Sequence, residues 1–167
     1  MHSLLIVQRL VSAINRLMVM IGSLGLVAAS LILSYSVISR ALFKANTDWQ
    51  DEAAVFCLVG VTFLCASFVQ ERRNHIGISA LSGMLPAALE KLRVFLVDAI
   101  PFVFCTFFAW KSWTLWHEAW FEGHTTSSSW GPPLSIPYGL MATGMTLLSI
   151  QLLLQTLEHV LARTQAA

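Results

Sequence analysis

The chain has 167 residues, of which 56% are hydrophobic and only 11% charged, against roughly 25% charged in ordinary soluble domains. A mean hydropathy of +0.70 excludes an ordinary water-soluble fold, because so much apolar surface has no aqueous partner. Lys plus Arg number 10 and Asp plus Glu 9, a formal net charge of +1, so bulk electrostatics give no reason to expect nucleic acid or an acidic substrate as a partner. The length suits a single membrane domain, 1–167.

A crossing helix needs about 20 largely apolar residues, and four such stretches lie between the charged residues. The first, 17–39, is bracketed by Arg16 and Arg40 and reaches about 34 Å at helical rise. Its apolar core is longer than the roughly 7 to 15 residues of a signal peptide and has no small-residue cleavage site before Arg40, so a retained anchor is expected. The second, 53–70, runs between Glu52 and Glu71. The third, 94–110, is short and carries Asp98 and Pro101. The fourth, 134–157, follows the Ser/Pro/Gly-rich run 125–133 and contains only Gln151 and Gln155 as strongly polar side chains; Pro137 either begins or kinks its helix. No strand-like alternation appears, and lipid admits only helices or closed barrels. An all-α integral membrane protein with four transmembrane helices is predicted.

Lys and Arg in short loops favour the cytoplasmic side. Arg9, Arg16, Arg72, Arg73, Lys91, Arg93 and Arg163 then outnumber Arg40, Lys44 and Lys111, which places both termini in the cytoplasm. Trp110, Trp113, Trp116 and Trp120 recur every three to four residues, one face of a helix. They imply an amphipathic extension or interfacial helix on the outer side, serving either as a membrane-anchoring belt or as a partner-docking or ligand-stacking surface. Leu81, Leu85, Leu89 and Leu92 suggest a second interfacial segment on the cytoplasmic side.

Few residues offer chemistry. Cys57, Cys65 and Cys105 lie inside apolar runs without metal or redox spacing and read as small buried hydrophobes. None of the histidines falls within a crossing, which disfavours a bundle haem, and no nucleophile elbow, zinc-protease motif or phosphate-cradling loop occurs. No enzyme activity, metal or cofactor is predicted. Asp98 is the one clear intramembrane carboxylate, either shallow enough to reach interfacial water or engaged in a subunit contact or proton-linked role. Two charged clusters flank the second crossing: Trp49-Gln50-Asp51-Glu52 at its entry and Glu71-Arg72-Arg73-Asn74-His75-Ile76 at its exit. Acids at a helix start and bases at its end complement the helix dipole, which explains the signs but not the Trp before the acids or the His-Ile pair after the arginines.

Arg40 and Phe43, Trp49-x-Asp51-Glu52, Gly60 and Arg72-x-x-His75-Ile76-x-Ile78, followed by Thr126 to Gly139 with Pro137-Tyr138-Gly139 leading into the last crossing, resemble the small membrane subunit of tripartite ATP-independent periplasmic (TRAP) transporters, the DctQ-like family. Family members often carry an acid shortly after the His-Ile pair, where this chain has Ser79. The resemblance implies a small permease subunit in a bacterial or archaeal inner membrane. Its partners would be a large membrane subunit, a transiently docking periplasmic binding protein and membrane lipids. The system would take up an organic acid or related solute with sodium, and this chain would perform no catalysis. On that reading Arg40, Trp49, Asp51, Glu52, Arg72, His75, Asp98, Pro137 and Gly139 are candidate structural or subunit-contact residues, with Glu52, Arg72 and His75 fixing helix ends. Two other readings stay open: a stand-alone oligomeric exporter using Asp98, and an accessory subunit of an unrelated membrane complex.

Overall fold

The computed structural model describes the backbone of residues 2–44, 46–73 and 87–165 and the side chains of residues 6–44, 46–72 and 99–157. Among these residues the chain forms α1 (His2–Phe43), α2 (Asp48–Arg73), α3 (Ala87–Phe121) and α4 (Ser135–Gln165). The only β-type pairing among them is an isolated bridge between Thr125 and Pro133.

α1 is 42 residues long, about 63 Å at helical rise and roughly twice the hydrocarbon thickness of a bilayer. The expected crossing, 17–39, is therefore the apolar part of a longer helix, and Arg9 and Arg16 are carried on that helix rather than on a preceding loop. No proline interrupts it. It stops where Lys44 turns left-handed at φ 51°, with the Lys44 N–H bonded to the Arg40 carbonyl at 3.2 Å, a cap that ends helices because the next residue cannot continue the ladder.

α2 extends about one turn beyond the expected 53–70 at each end. The Thr47 carbonyl accepts from the N–H groups of Gln50 and Asp51 at 3.2 and 3.3 Å, and Asp48 and Asp51 occupy the first turn, where the positive helix end favours carboxylates. α3 runs unbroken through Pro101 and the tryptophan ladder, so the amphipathic extension is its own C-terminal half. It closes with Gly123 at φ 65° and the His124 N–H on the Ala119 carbonyl at 3.1 Å. This left-handed cap is one that glycine adopts at little cost. α4 begins at Ser135, which puts Pro137 in the first turn, where a missing N–H removes no helical bond. Pro137 thus begins the helix instead of kinking it.

Cross-helix pairs give the order of the bundle. α1 lies antiparallel on α2, with Gly22 opposite Cys65 and Ser36 opposite Asp51. α2 lies parallel to α4, with Gly60 against Leu140 and Ser67 bonded to Leu147. α4 lies antiparallel on α3, with Thr146 bonded to Trp113 and Gly139 against Trp116. The row runs α1, α2, α4, α3, with α1 barely touching α4. Position in the row sets burial: 11% of the most apolar stretch of α1 is buried, against 44% for α4. Cys105, Ala109, Met145 and Leu152 form the core between α3 and α4, and Phe63 of α2 reaches it by stacking on Phe108 at 6.4 Å.

Among the described residues, Ile6–Phe43, Asp48–Arg72 and Ser135–Leu157 are long and apolar enough to cross a membrane. The expected third crossing, 94–110, falls partly outside the described side chains, and the expected interfacial segment around Leu81 and Leu85 lies outside the described residues.

The α2–α4 contact depends on Gly144, where a methyl group would overlap the Phe63 backbone. Gly25 differs, since a Cβ there would meet the Val61 side chain at an ordinary 3.4 Å. Gly144→Ala is expected to lower unfolding stability in detergent by about 1–3 kcal/mol. Gly25→Ala should be neutral or gain up to about 1 kcal/mol by improving helix propensity.

Candidate functional site

Polar side chains gather at the two ends of the helix row, and each group ties neighbouring helices together. At the end where α1 stops and α2 starts, Arg40 Nη2 donates to both Asp51 oxygens at 3.2 and 3.1 Å and to Ser36 Oγ at 3.0 Å. Ser36, 1% exposed, donates to Asp51 Oδ1 at 3.2 Å. The buried hydroxyl fixes the geometry of a pair whose charged side chains are otherwise half exposed.

The α3–α4 connection closes over the same end. The Thr126 N–H bonds the Pro132 carbonyl at 3.1 Å, and the Leu134 N–H bonds the His124 carbonyl at 2.9 Å, which folds the Ser/Pro/Gly-rich run into a tied loop. Ser129 Oγ then donates to Asp48 Oδ2 at 3.3 Å, and Trp130 meets Trp49 edge to face at 6.3 Å. Trp49 itself is 46% exposed.

At the opposite end Asn15, fully buried, joins three helices. Its Nδ2 donates to Glu71 Oε2 on α2 at 2.8 Å and to Gln151 Oε1 on α4 at 3.3 Å. Gln70 and Gln155 form a reciprocal pair, with Gln70 Nε2 on Gln155 Oε1 at 3.1 Å and Gln155 Nε2 on the Gln70 carbonyl at 3.2 Å. One turn deeper, Ser67 Oγ donates to the Leu147 carbonyl at 3.2 Å.

The sequence candidates divide between these places. Arg40 and Asp51 form the first clasp, Trp49 belongs to the aromatic contact over it, and Pro137 and Gly139 shape the start of α4. Gly139 leaves room for the Trp116 indole, whose Nε1 would lie 3.1 Å from an added Cβ. Trp113 is turned the same way, donating through Nε1 to Thr146 Oγ1 at 3.0 Å. Trp113 and Trp116 therefore both reach α4, Trp113 while still 40% exposed, whereas Trp110 and Trp120 are more exposed, at 64% and 62%. Glu52 does not take the Arg40 pair; its Oε2 is buried without a hydrogen-bond partner, as is Gln50 Oε1. Arg72 stays within α2, its guanidinium 5.1 Å from the Phe68 ring. His75 lies outside the described residues, as does the Asp98 side chain. Among the described residues no three His, Cys, Asp or Glu side chains come together in a manner suited to a metal ion.

Asn15, Gln70 and Ser67 were not singled out by sequence reasoning, and Gln151 and Gln155 appeared only as polar exceptions in an apolar stretch. Their four-residue spacing, one face of a helix, was the available signal. The two clasps should differ in energetic weight. Asn15→Ala leaves Glu71 and Gln151 without their buried donor and should cost about 1–3 kcal/mol. Asp51→Asn breaks a half-exposed pair and should cost below about 1 kcal/mol. Equilibrium unfolding of both variants in one detergent checks the order.

The geometry is that of a membrane helix row held by its ends, and comparison with known proteins gives it a family. The family model described as "Tripartite ATP-independent periplasmic transporters, DctQ component" matches residues 29–162. The C4-dicarboxylate TRAP transporter small permease protein DctQ of Vibrio cholerae serotype O1 (strain ATCC 39315 / El Tor Inaba N16961) is 30% identical over 147 residues, covering 75% of this chain and 63% of that protein. The chain thus spans less than two thirds of that relative's length. No solved structure matches it. The matched stretch takes in both clasps except Asn15, together with the tied loop, and the chain belongs to the DctQ component family of tripartite ATP-independent periplasmic transporters.

Proposed function

We propose that the chain is the small permease subunit of a TRAP-type secondary transporter in a bacterial or archaeal inner membrane. It crosses the membrane four times with both termini in the cytoplasm and packs against a large membrane subunit. That partner moves an organic acid or related solute with sodium after a periplasmic binding protein delivers it. C4-dicarboxylates, named for the Vibrio cholerae relative, are the first substrates to test.

The observation that carries this reading is where the polar side chains sit. Substrate and ion sites of secondary transporters lie near the bilayer midplane and need polar groups there. Here, the cavity along the middle of the row is lined by apolar residues such as Ile21, Val61, Leu64 and Leu140. The hydrogen-bonded side chains at the helix ends are spent on each other. A subunit built this way supports a neighbour's transport rather than forming a path of its own. Glu52 extends the reading: one carboxylate oxygen has no donor among the described residues while the side chain stays partly exposed. We assign it, with Arg72 and His75, to holding helix ends against the large subunit.

The test is reconstitution in vesicles. Solute uptake is expected only when this chain, the large subunit, the binding protein and an inward sodium gradient are all present. Glu52→Gln should lower recovery of the two-subunit complex by roughly tenfold, the scale of one lost charge-assisted hydrogen bond. Transport by this chain alone, abolished by Asp98→Asn, would instead establish the exporter reading.

A further inference from the structure

Between α1, α2 and α4, at the Asn15 end of the row, lies a cavity of about 630 Å³. Arg9, Ser12 and Arg16 line it from α1, Glu71 from α2, and Gln151 and Gln155 from α4. The α1 residues fall at positions i, i+3 and i+7, one face of that helix. Most of the donors here are unspent. Among the described residues Arg9 and Arg16 donate no hydrogen bond and form no ion pair, in contrast with Arg40 at the other end. Gln151 is 8% exposed; its oxygen is taken by Asn15, while its NH2 group has no acceptor among the described residues.

Each guanidinium offers five N–H donors in a planar fork, a shape that matches phosphate oxygens. The single carboxylate, Glu71, is already engaged by buried Asn15 at 2.8 Å, so the wall carries more positive than negative charge and more donors than acceptors. The cavity also sits where the charge-free part of α1 begins. Leu10 and Leu17, next to the two arginines in sequence, are 61% and 52% exposed, an apolar flank beside a polar recess. A free anion would use only the recess, whereas a phospholipid would use both.

We propose that this cavity binds the phosphodiester headgroup of a membrane phospholipid, with Arg9 and Arg16 donating to the phosphate oxygens and Gln151 adding a neutral donor. The acyl chains lie along the exposed leucines of α1. Inorganic phosphate shares the headgroup chemistry and lacks the chains, which separates the two sources. The proposal requires only residence in a membrane and does not depend on the transport reading.

The test is native mass spectrometry of the full chain, delipidated in mild detergent and titrated separately with phosphatidylglycerol, diacylglycerol of the same chains, and inorganic phosphate. A single phosphatidylglycerol adduct is expected that diacylglycerol does not form and inorganic phosphate does not displace. The paired change Arg9→Gln with Arg16→Gln should weaken that adduct by at least about tenfold, through loss of charge-assisted bonds. Arg9→Lys with Arg16→Lys retains charge without the fork and should weaken it less; this pair carries the test if the glutamine pair does not fold. Lys111→Gln, on the far part of α3, should leave the adduct unchanged. Equal occupancy in the wild type and both arginine-pair variants overturns the site, and equal binding of diacylglycerol overturns the phosphate contact. Displacement by inorganic phosphate overturns the lipid as occupant and assigns the site to a soluble anion.

Discussion

A polar group inside hydrocarbon has no water to fall back on, and the arrangement of this chain follows from where each such group finds its partner. Most hydroxyls solve the problem locally. Ser30, Ser34, Thr62, Ser112, Ser149 and Thr156 each donate to the carbonyl one turn earlier on their own helix, at 2.8 or 2.9 Å, and so ask nothing of a neighbour. Side chains too long or too charged for that solution collect at the two ends of the row, where Asn15, Gln70, Glu71, Gln151 and Gln155 face Ser36, Arg40, Asp51 and Asp48 across the thickness of the membrane. Between the ends, helices meet mainly through small residues and apolar packing, joined by the bonds from Trp113 to Thr146 and from Ser67 to the Leu147 carbonyl, which is how association proceeds when lipid is as apolar as leucine.

This division explains why α1 can stay in place while so little of it is buried. In lipid an exposed apolar face carries no penalty, so burial is not needed to retain the helix. Position comes instead from Asn15 at one end, the Ser36–Arg40–Asp51 cluster at the other, and the close seat of Gly22 beside Cys65 between them. α4 is the opposite case, packed on α2 through Gly144 and on α3 through the Cys105 and Met145 core. The parallel α2–α4 pair is the centre of the row, and the antiparallel α1 and α3 flank it.

Much of the helical architecture was legible because charged residues bracket apolar runs, and hydrocarbon enforces that grammar more strictly than water does. The boundaries were less legible for definite reasons. α1 continues back through Arg16 and Arg9 because a helix leaving the bilayer has no cause to stop at its first charge, and α2 starts at Asp48 because carboxylates are favoured in a first turn. At the candidate site the sequence pointed to the right stretch of chain but not to the pairing. Asp51, not Glu52, meets Arg40 and Ser36 of α1. The Asn15 cluster was hidden because its members come from three distant helices, and only the Gln151–Gln155 spacing hinted at a shared face. The tryptophan ladder divides because Gly139 and Thr146 on α4 offer Trp116 a seat and Trp113 an acceptor, information that α3 does not contain.

α1 is seated chiefly on α2, in a fixed register, and meets α4 only slightly; a cysteine pair across the α1–α2 seat tests this most directly. Replacing Cys57 and Cys105 with alanine and introducing Gly22→Cys leaves one designed partner for Cys65, whose sulfur lies 2.5 Å from where a Cβ at residue 22 would stand. Mild oxidation in native membranes should convert the chain to an internally cross-linked monomer, detected by its shifted gel mobility and by mass spectrometry of the joined peptides. Cross-linking only between separate chains, or none at this pair while Cys65 remains open to alkylation, would contradict the seating of α1 and with it the helix order.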